Sequence, residues 1–200
     1  EPNGSNLLLQ AVLRDGISIS HRLGTVDLAG ETRSDIPVVT FRRKDVSQAD
    51  FATLLYPFRG KADPDAVSAR EFAVENGCGC VVRAPGRMDV VVWLWEEGKA
   101  SLARDVFSFE GRACLARVHD GSFSLVGGRL LRLQGRTLMA SHNPVPELCV
   151  EYRDDAVVVT CPVSEPTLEI AALGRKWALV NGKRVFLDGG CDTFRPFAGR

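Results

Sequence analysis

The chain has 200 residues, of which 45% are hydrophobic and 25% charged, so it can bury the core of one large domain or two small ones. Its 25 basic residues balance its 25 acidic residues, which excludes an overall field favouring nucleic acid or an anionic membrane. No apolar run approaches the roughly 20 residues of a membrane span, and the start EPNGSNLLLQ lacks the pattern of a signal peptide. We therefore expect a mature fragment with neither nucleic acid nor membrane as partner.

The first quarter of the chain alternates apolar and polar residues, with turn residues between the alternating runs. This period of two predicts strands over residues 7–13, 17–21, 38–43 and 49–58. The connector RGKADPD at residues 59–65 is rich in Gly, Pro and Asp and predicts a boundary. The predicted domains are residues 1–60 and 61–200, with one continuous β-domain as the alternative.

The rest of the chain predicts a short helix over residues 66–76 and then a series of hairpins. Strands are expected over residues 88–95, 101–109, 113–119, 122–126 and 129–134. Turns are expected at Glu97-Gly98, Asp120-Gly121, Gly127-Gly128, Asp154-Asp155 and Asn181-Gly182. The hairpin WALVNGKRVFL is the strongest of these, and it should bring Trp177 and Phe186 near the packed region of the sheet. The fold class is thus all-β, an antiparallel β-sandwich with little helix.

Residues 34–58, SDIPVVTFRRKDVSQADFATLLYPF, contain two alternating runs around a charged connector, which predicts two strands paired with each other. SDIPVVTF and FATLLYPF resemble the β-sheet portion of heparinase II/III family polysaccharide lyases. SNLLLQAV near the start and MDVVVWLW further on are also similar, so the resemblance covers roughly residues 5–140. It implies that the chain is the end of a central β-sandwich domain followed by a C-terminal β-sandwich domain.

Members of that family cleave uronic-acid-containing polysaccharides by β-elimination, in which a tyrosine or histidine removes the C5 proton. Their principal tyrosine, histidine and asparagine lie on a helical toroid and an earlier part of the sheet, and none of these motifs is matched here. The paired histidines that bind zinc in some members are also unmatched. The resemblance therefore implies a non-catalytic portion of a lyase, with acidic polysaccharide and the missing N-terminal helical toroid as partners. It also implies a periplasmic or secreted location.

Four side chains are candidates for contact with a sugar. Trp93 and Trp95 alternate along VVVWLW, which places both indoles on one strand face about 7 Å apart. They could form a stacking platform, but the apolar run favours packing in the core. Tyr56 and Arg59 could meet the ring and carboxylate of a substrate, although a rim tyrosine and a loop arginine are favoured. The alternative function is a self-standing carbohydrate-binding or adhesive β-sandwich that uses Trp93, Trp95 or Tyr56.

Neither the histidines nor the cysteines predict a catalytic or metal site. His21, His119 and His142 all lie near expected loops, and no nucleophile motif accompanies them, so no catalytic residue, metal or cofactor is predicted. An intact small enzyme would need histidines and carboxylates to converge on a cavity. Cys78-Gly79-Cys80 favours plain buried thiols over a redox pair, and Cys149 with Cys161 is the disulfide pair to test.

Overall fold

The structure is a computed structural model that describes residues 5–12, 17–26, 34–44, 52–59, 63, 66–102, 106–187 and 192–197. These residues form fifteen strands and no helix, which confirms the prediction of an all-β, sandwich-like fold. Within the same residues, no helix is long and apolar enough to cross a membrane. The chain divides into two compact units, Glu1–Ala62 and Asp63–Arg200. The boundary falls inside the Gly-, Pro- and Asp-rich connector.

The first unit contains two separate antiparallel strand pairs. Its strands are β1 (Ser5–Val12), β2 (Ile17–Val26), β3 (Ser34–Arg43) and β4 (Ala52–Arg59). β1 pairs with β4, and β2 pairs with β3. SDIPVVTF and FATLLYPF are therefore both strands, but the prediction that they pair with each other is wrong. The reason is that β2 already matches β3 along its full length, from Ile17 opposite Arg43 to Val26 opposite Ser34.

The second unit is one eleven-stranded sheet. Its strands are β5 (Ser68–Phe72), β6 (Gly77–Ala84), β7 (Arg87–Leu102), β8 (Phe107–Arg117), β9 (Phe123–Leu133), β10 (Arg136–Tyr152), β11 (Ala156–Thr160), β12 (Glu169–Ala171), β13 (Trp177–Val180), β14 (Lys183–Phe186) and β15 (Thr193–Phe194). From β5 to β11 each strand pairs antiparallel with the next. β13 then joins β11 in parallel and pairs with β14, while β12 pairs with β10 and β15.

Several elements of the structure differ from the predicted ones. Residues 66–76 do not form the predicted helix, because Ser68–Phe72 pairs with β6 as strand β5. The predicted strand over 101–109 is also wrong, since β7 ends at Leu102 and β8 begins at Phe107. The turns at Asp120-Gly121, Asp154-Asp155 and Asn181-Gly182 are confirmed.

The predicted turns at Glu97-Gly98 and Gly127-Gly128 are wrong, because both pairs lie inside long strands where the sheet bends. Register shifts interrupt three successive pairings, between Trp93 and Gly98 in β7, Glu110 and Ala113 in β8, and Ala140 and Val145 in β10. Such bulges bend and twist a sheet without ending its strands. Because they fall side by side on neighbouring strands, they produce a common bend across the sheet.

Glycines permit close approach of the backbone at this bend. Gly111 has a φ of +156°, and a Cβ added to it would lie 2.7 Å from the Cα of Gly128 and 2.8 Å from the carbonyl oxygen of Gly127. No side chain larger than hydrogen fits there without backbone movement. The bend therefore depends on glycine at this position.

The hydrophobic core lies on the inner face of the bent sheet. On one side of the bend, a row of paired residues runs through Val90, Ala116, Phe123, Val150 and Val159. On the other side, a second row runs through Ala100, Phe109, Leu131, Met139 and Ile170. Both rows belong to one buried cluster, so the bend brings two halves of one sheet face together.

Tyr152 ties β12 to this core. Its hydroxyl donates a hydrogen bond of 2.9 Å to the carbonyl oxygen of Ala171, and its backbone N–H donates to Ser122 Oγ at 3.0 Å. Burial raises the pKa of the phenol above its ordinary value, and the nearby Arg175 opposes that rise. The hydroxyl therefore stays protonated, and remains a hydrogen-bond donor, at neutral pH.

Candidate functional site: the outer face of the large sheet

Trp93 and Trp95 lie on the outer face of β7, the face opposite the core. They are 52% and 48% exposed, whereas Leu94 between them is fully buried. The alternation of a strand puts the two indoles on the same side, as predicted. The expectation that they fill the core is wrong, because the neighbouring residues Val92 and Leu94 take the inward positions.

Trp93 belongs to an exposed apolar surface that crosses three adjacent strands. The strand register places Trp93 beside Ala113 of β8, and Ala113 beside Val126 of β9. Val126 and Leu115, the latter also on β8, are both exposed. We call Trp93, Trp95, Leu115 and Val126 the tryptophan face. Contiguous apolar surface of this kind marks contact sites for other domains or for ligands, whereas single exposed hydrophobic residues are ordinary.

A shallow depression of about 280 Å³ adjoins Trp93 on this face. Its lining is mostly apolar and carries one charged side chain, Glu147. Ser124 supplies a hydroxyl that donates a hydrogen bond of 3.2 Å to the sulfur of Cys149. An indole beside a carboxylate and a hydroxyl can stack on a sugar and bind its hydroxyl groups, but the charge of Glu147 opposes an acidic sugar.

Tyr56 and Arg59 lie on β4 in the first unit. Their backbones pair with Leu8 and Ser5 of β1. Their side chains lie outside the described residues, so their suggested roles in substrate contact stay predictions.

The three histidines lie on different elements. His21 is in β2 and His142 is in β10, and both are exposed. His119 follows β8, and its Nε2 lies 3.4 Å from the Oδ2 of Asp120. Asp120 also contacts Arg117, which bridges it to the buried Asp89.

Asp89 is the one buried carboxylate among the described residues. Arg87 approaches its Oδ2 with both Nε, at 2.6 Å, and Nη2. Its Oδ1 lies 3.6 Å from Nε of Arg117, too far for a hydrogen bond, and neither of these two atoms has another hydrogen-bond partner. The two guanidinium groups flank the carboxylate, so the three side chains form an ion-pair cluster at the start of β7.

Four of the described cysteines, Cys80, Cys114, Cys149 and Cys161, are free thiols, so Cys149 and Cys161 form no disulfide with each other. Burial raises the pKa of Cys80 to about 11, and the neighbouring Cys78 and Glu71 add to the rise. Burial also raises the pKa of Cys114. Because the thiolate is the reactive form, a raised pKa makes both thiols poor nucleophiles and favours their interpretation as structural side chains.

A second exposed aromatic group, which is not among the residues predicted to bind a ligand, lies at the end of the sheet. The hairpin WALVNGKRVFL forms as predicted, with Trp177 opposite Phe186. The expectation that it places Phe186 near the packed region is wrong, because Phe186 is 78% exposed. Arg184 lies over both rings. The register of a two-residue turn at Asn181-Gly182 would have revealed this grouping, since it pairs Trp177 with Phe186 and Leu179 with Arg184.

No protein-family model matches the sequence, and no curated protein matches it. Within the described ranges, no group of three or more His, Cys, Asp or Glu side chains could hold a metal ion.

Proposed function

We propose that this chain is the non-catalytic C-terminal β-sandwich portion of a heparinase II/III-like polysaccharide lyase, which cleaves uronic-acid-containing polysaccharides by β-elimination. In this proposal the β-sandwich supports the helical toroid and the cleft of the parent enzyme, which is periplasmic or secreted. The observation that carries the proposal is the tryptophan face. It is exposed in this chain, apolar across three strands, and suited to packing against another domain.

The proposal is tested first with the isolated chain. β-Elimination leaves an unsaturated uronate that absorbs in the ultraviolet, so the chain is incubated with heparin, heparan sulfate, alginate and hyaluronate while absorbance is followed. We expect no rise with any of them. A rise would overturn the proposal of a non-catalytic portion, and Tyr56, His21, His119 and His142 would then be the residues to replace.

The second test concerns the longer polypeptide that the proposal requires. There, Trp93→Glu places a charge in the apolar contact and is expected to lower both the unfolding temperature and the lyase rate. Val163→Glu is the matched control, because it adds the same charge to an exposed apolar side chain outside the tryptophan face. Equal effects of the two substitutions would contradict a specific supporting role for the tryptophan face.

A second candidate function is a self-standing carbohydrate-binding module. The exposure of Trp93 and Trp95 favours it, and so do Ser124 and Glu147 beside Trp93, which can bind sugar hydroxyls. This candidate predicts that neutral glycans change the intrinsic tryptophan fluorescence, and that Trp93→Ala abolishes the change. If instead neutral glycans leave the fluorescence unchanged, the stacking function is excluded for this face.

A further inference from the structure

The β13–β14 hairpin holds an arginine against two aromatic rings. The guanidinium carbon of Arg184 lies 4.4 Å from the ring centre of Trp177 and 5.2 Å from that of Phe186. Both distances are within the range of a cation–π interaction. The register places Arg184 opposite Leu179 and Phe186 opposite Trp177, so all these side chains share the outer face of the sheet. The guanidinium group is thus positioned by rings rather than by an acid.

The N–H donors of Arg184 have no acceptor within the described part of the chain. Four other arginines there contact carboxylates: Arg87 and Arg117 contact Asp89, Arg153 contacts Glu151, and Arg195 contacts Glu169. Among the described residues, the guanidinium group of Arg184 contacts the two rings and forms no ion pair. A guanidinium group offers five donors in a planar fork, which matches the geometry of a carboxylate or a sulfate.

The rings beside Arg184 have different roles. The indole N–H of Trp177 donates a hydrogen bond of 3.0 Å to Oδ2 of Asp155, which fixes the orientation of that ring. Phe186 is 78% exposed, the highest value among the large hydrophobic side chains that the structure describes, and is open to stack on a ligand. Phe186 lies on β14, which is an edge strand of the large sheet, so an extended polymer can approach it from the side.

We propose that Arg184, Trp177 and Phe186 form a binding site for an acidic sugar. The fork of Arg184 binds the carboxylate or sulfate group, while the exposed face of Phe186 packs against the C–H face of the sugar ring. The site adds a binding role to the proposed function, and the identity of the bound polymer rests on that proposed function. It is also distinct from the tryptophan face, where the one charged group lining the depression, Glu147, opposes an anion.

The experiment compares two substitutions that remove the same charge from neighbouring residues. Arg184 lies on the outer face, whereas Lys183 is opposite the buried Val180 and therefore projects from the other face. Binding of the 200-residue chain to heparin, dextran sulfate, alginate and neutral dextran is measured by titration calorimetry at low and physiological salt. Arg184→Gln is expected to weaken binding of the acidic polymers about fivefold, and Lys183→Gln less than about twofold. The control is a thermal melt of each variant, which checks that both variants fold.

The remaining arms identify the group that is bound. Arg184→Lys keeps the charge but loses the fork, so it is expected to weaken binding about threefold. Loss with alginate alone assigns a carboxylate to the site, and loss with dextran sulfate alone assigns a sulfate. Equal losses for Arg184→Gln and Lys183→Gln would overturn the site, since they would indicate nonspecific charge. Absence of wild-type binding to every acidic polymer would overturn it as well.

Failure of this inference can be distinguished from failure of the proposed function. If acidic polymers bind and Arg184→Gln leaves their affinity unchanged, the hairpin site is refuted while the supporting role in a lyase stands. If the isolated chain itself produces unsaturated uronate, the non-catalytic assignment is refuted whatever the result at Arg184.

Discussion

Gly111→Ala tests whether the bend in the large sheet depends on close contact between backbones. A Cβ at this position would lie 2.5 Å from Cζ of Phe109, 2.7 Å from Cα of Gly128 and 2.8 Å from the oxygen of Gly127. Carbon atoms in contact prefer separations of about 3.5–4.0 Å. Two of the three neighbours are backbone atoms of β9, so they cannot move aside by changing a rotamer.

The cost of this substitution has two parts. Overpacking of a filled site costs about 1–3 kcal/mol. A φ of +156° is a conformation that L side chains rarely adopt, and holding a residue in such a region costs about 1–3 kcal/mol more. We therefore expect Gly111→Ala to lower the free energy of unfolding by about 2–6 kcal/mol.

The assay is urea denaturation followed by circular dichroism, with Gly135→Ala as the matched control. Gly135 also has a positive φ, +74°, but no atom lies within 4 Å of an added Cβ. It should lose only the conformational part, about 1–2 kcal/mol. If Gly111→Ala were no more destabilising than Gly135→Ala, the close approach of β8 and β9 at the bend would be refuted.

Three further predictions concern single side chains of the second unit. Tyr152→Phe removes the 2.9 Å hydrogen bond to the carbonyl of Ala171 and should lower the free energy of unfolding by about 1–2 kcal/mol; a change below about 0.3 kcal/mol in urea melts would contradict a role for that bond. With its pKa raised to about 11, Cys80 should react with a thiol reagent at a rate that rises about tenfold per pH unit from pH 7 to 10. The rate is followed by mass spectrometry of the peptide that contains Cys80. A plateau of the rate near pH 9 would contradict the raised pKa. Hydrogen bonds from the hydroxyl and backbone N–H of Thr167 lower the pKa of Glu165, so its contribution to stability is present above the ordinary carboxyl pKa and is lost as the pH falls through the lowered value. Thr167→Val should raise that pKa in an NMR titration while Thr167→Ser leaves it low, and identical titrations of the two variants would show that the hydroxyl has no effect.

The strand content of this chain could be predicted from its alternating pattern, but the pairing partners could not. A period of two shows which residues share a face and does not say which strand lies alongside. The pattern therefore predicts correctly that SDIPVVTF is a strand and wrongly that FATLLYPF is its partner, because its actual partner, β2, precedes it in the chain.

The bend could not be predicted from the sequence, for a related reason. Gly127-Gly128 is as suitable for a bulge as for a hairpin turn, since both need backbone conformations that glycine adopts readily. A bulge differs from a hairpin turn because the strand continues past a bulge with the same neighbouring strands, whereas at a hairpin turn the strand ends and the chain reverses. Here Val145 of β10 lies opposite Gly128, so the strand continues past the glycines.

The candidate surface was only half predictable. Alternation placed Trp93 and Trp95 together, but a run in which every residue is apolar carries no signal for which face is buried. The structure resolves this because Val92 and Leu94 pack into the core and leave the indoles outside. Grouping of Arg184 with Trp177 and Phe186 could have been predicted, because the turn Asn181-Gly182 sets the register of its hairpin.

The parallel pairing of β11 with β13 has a consequence for how the chain folds during synthesis. The seven strands from β5 to β11 pair with their neighbours in order, so each hairpin can close soon after its second strand emerges. β13 cannot join β11 until Trp177–Val180 has been synthesised, and β15 must wait longer to pair with β12. Until then the outer edge of β11 is uncovered, which makes the last quarter of the chain the stage at which a nascent molecule is most exposed to mispairing.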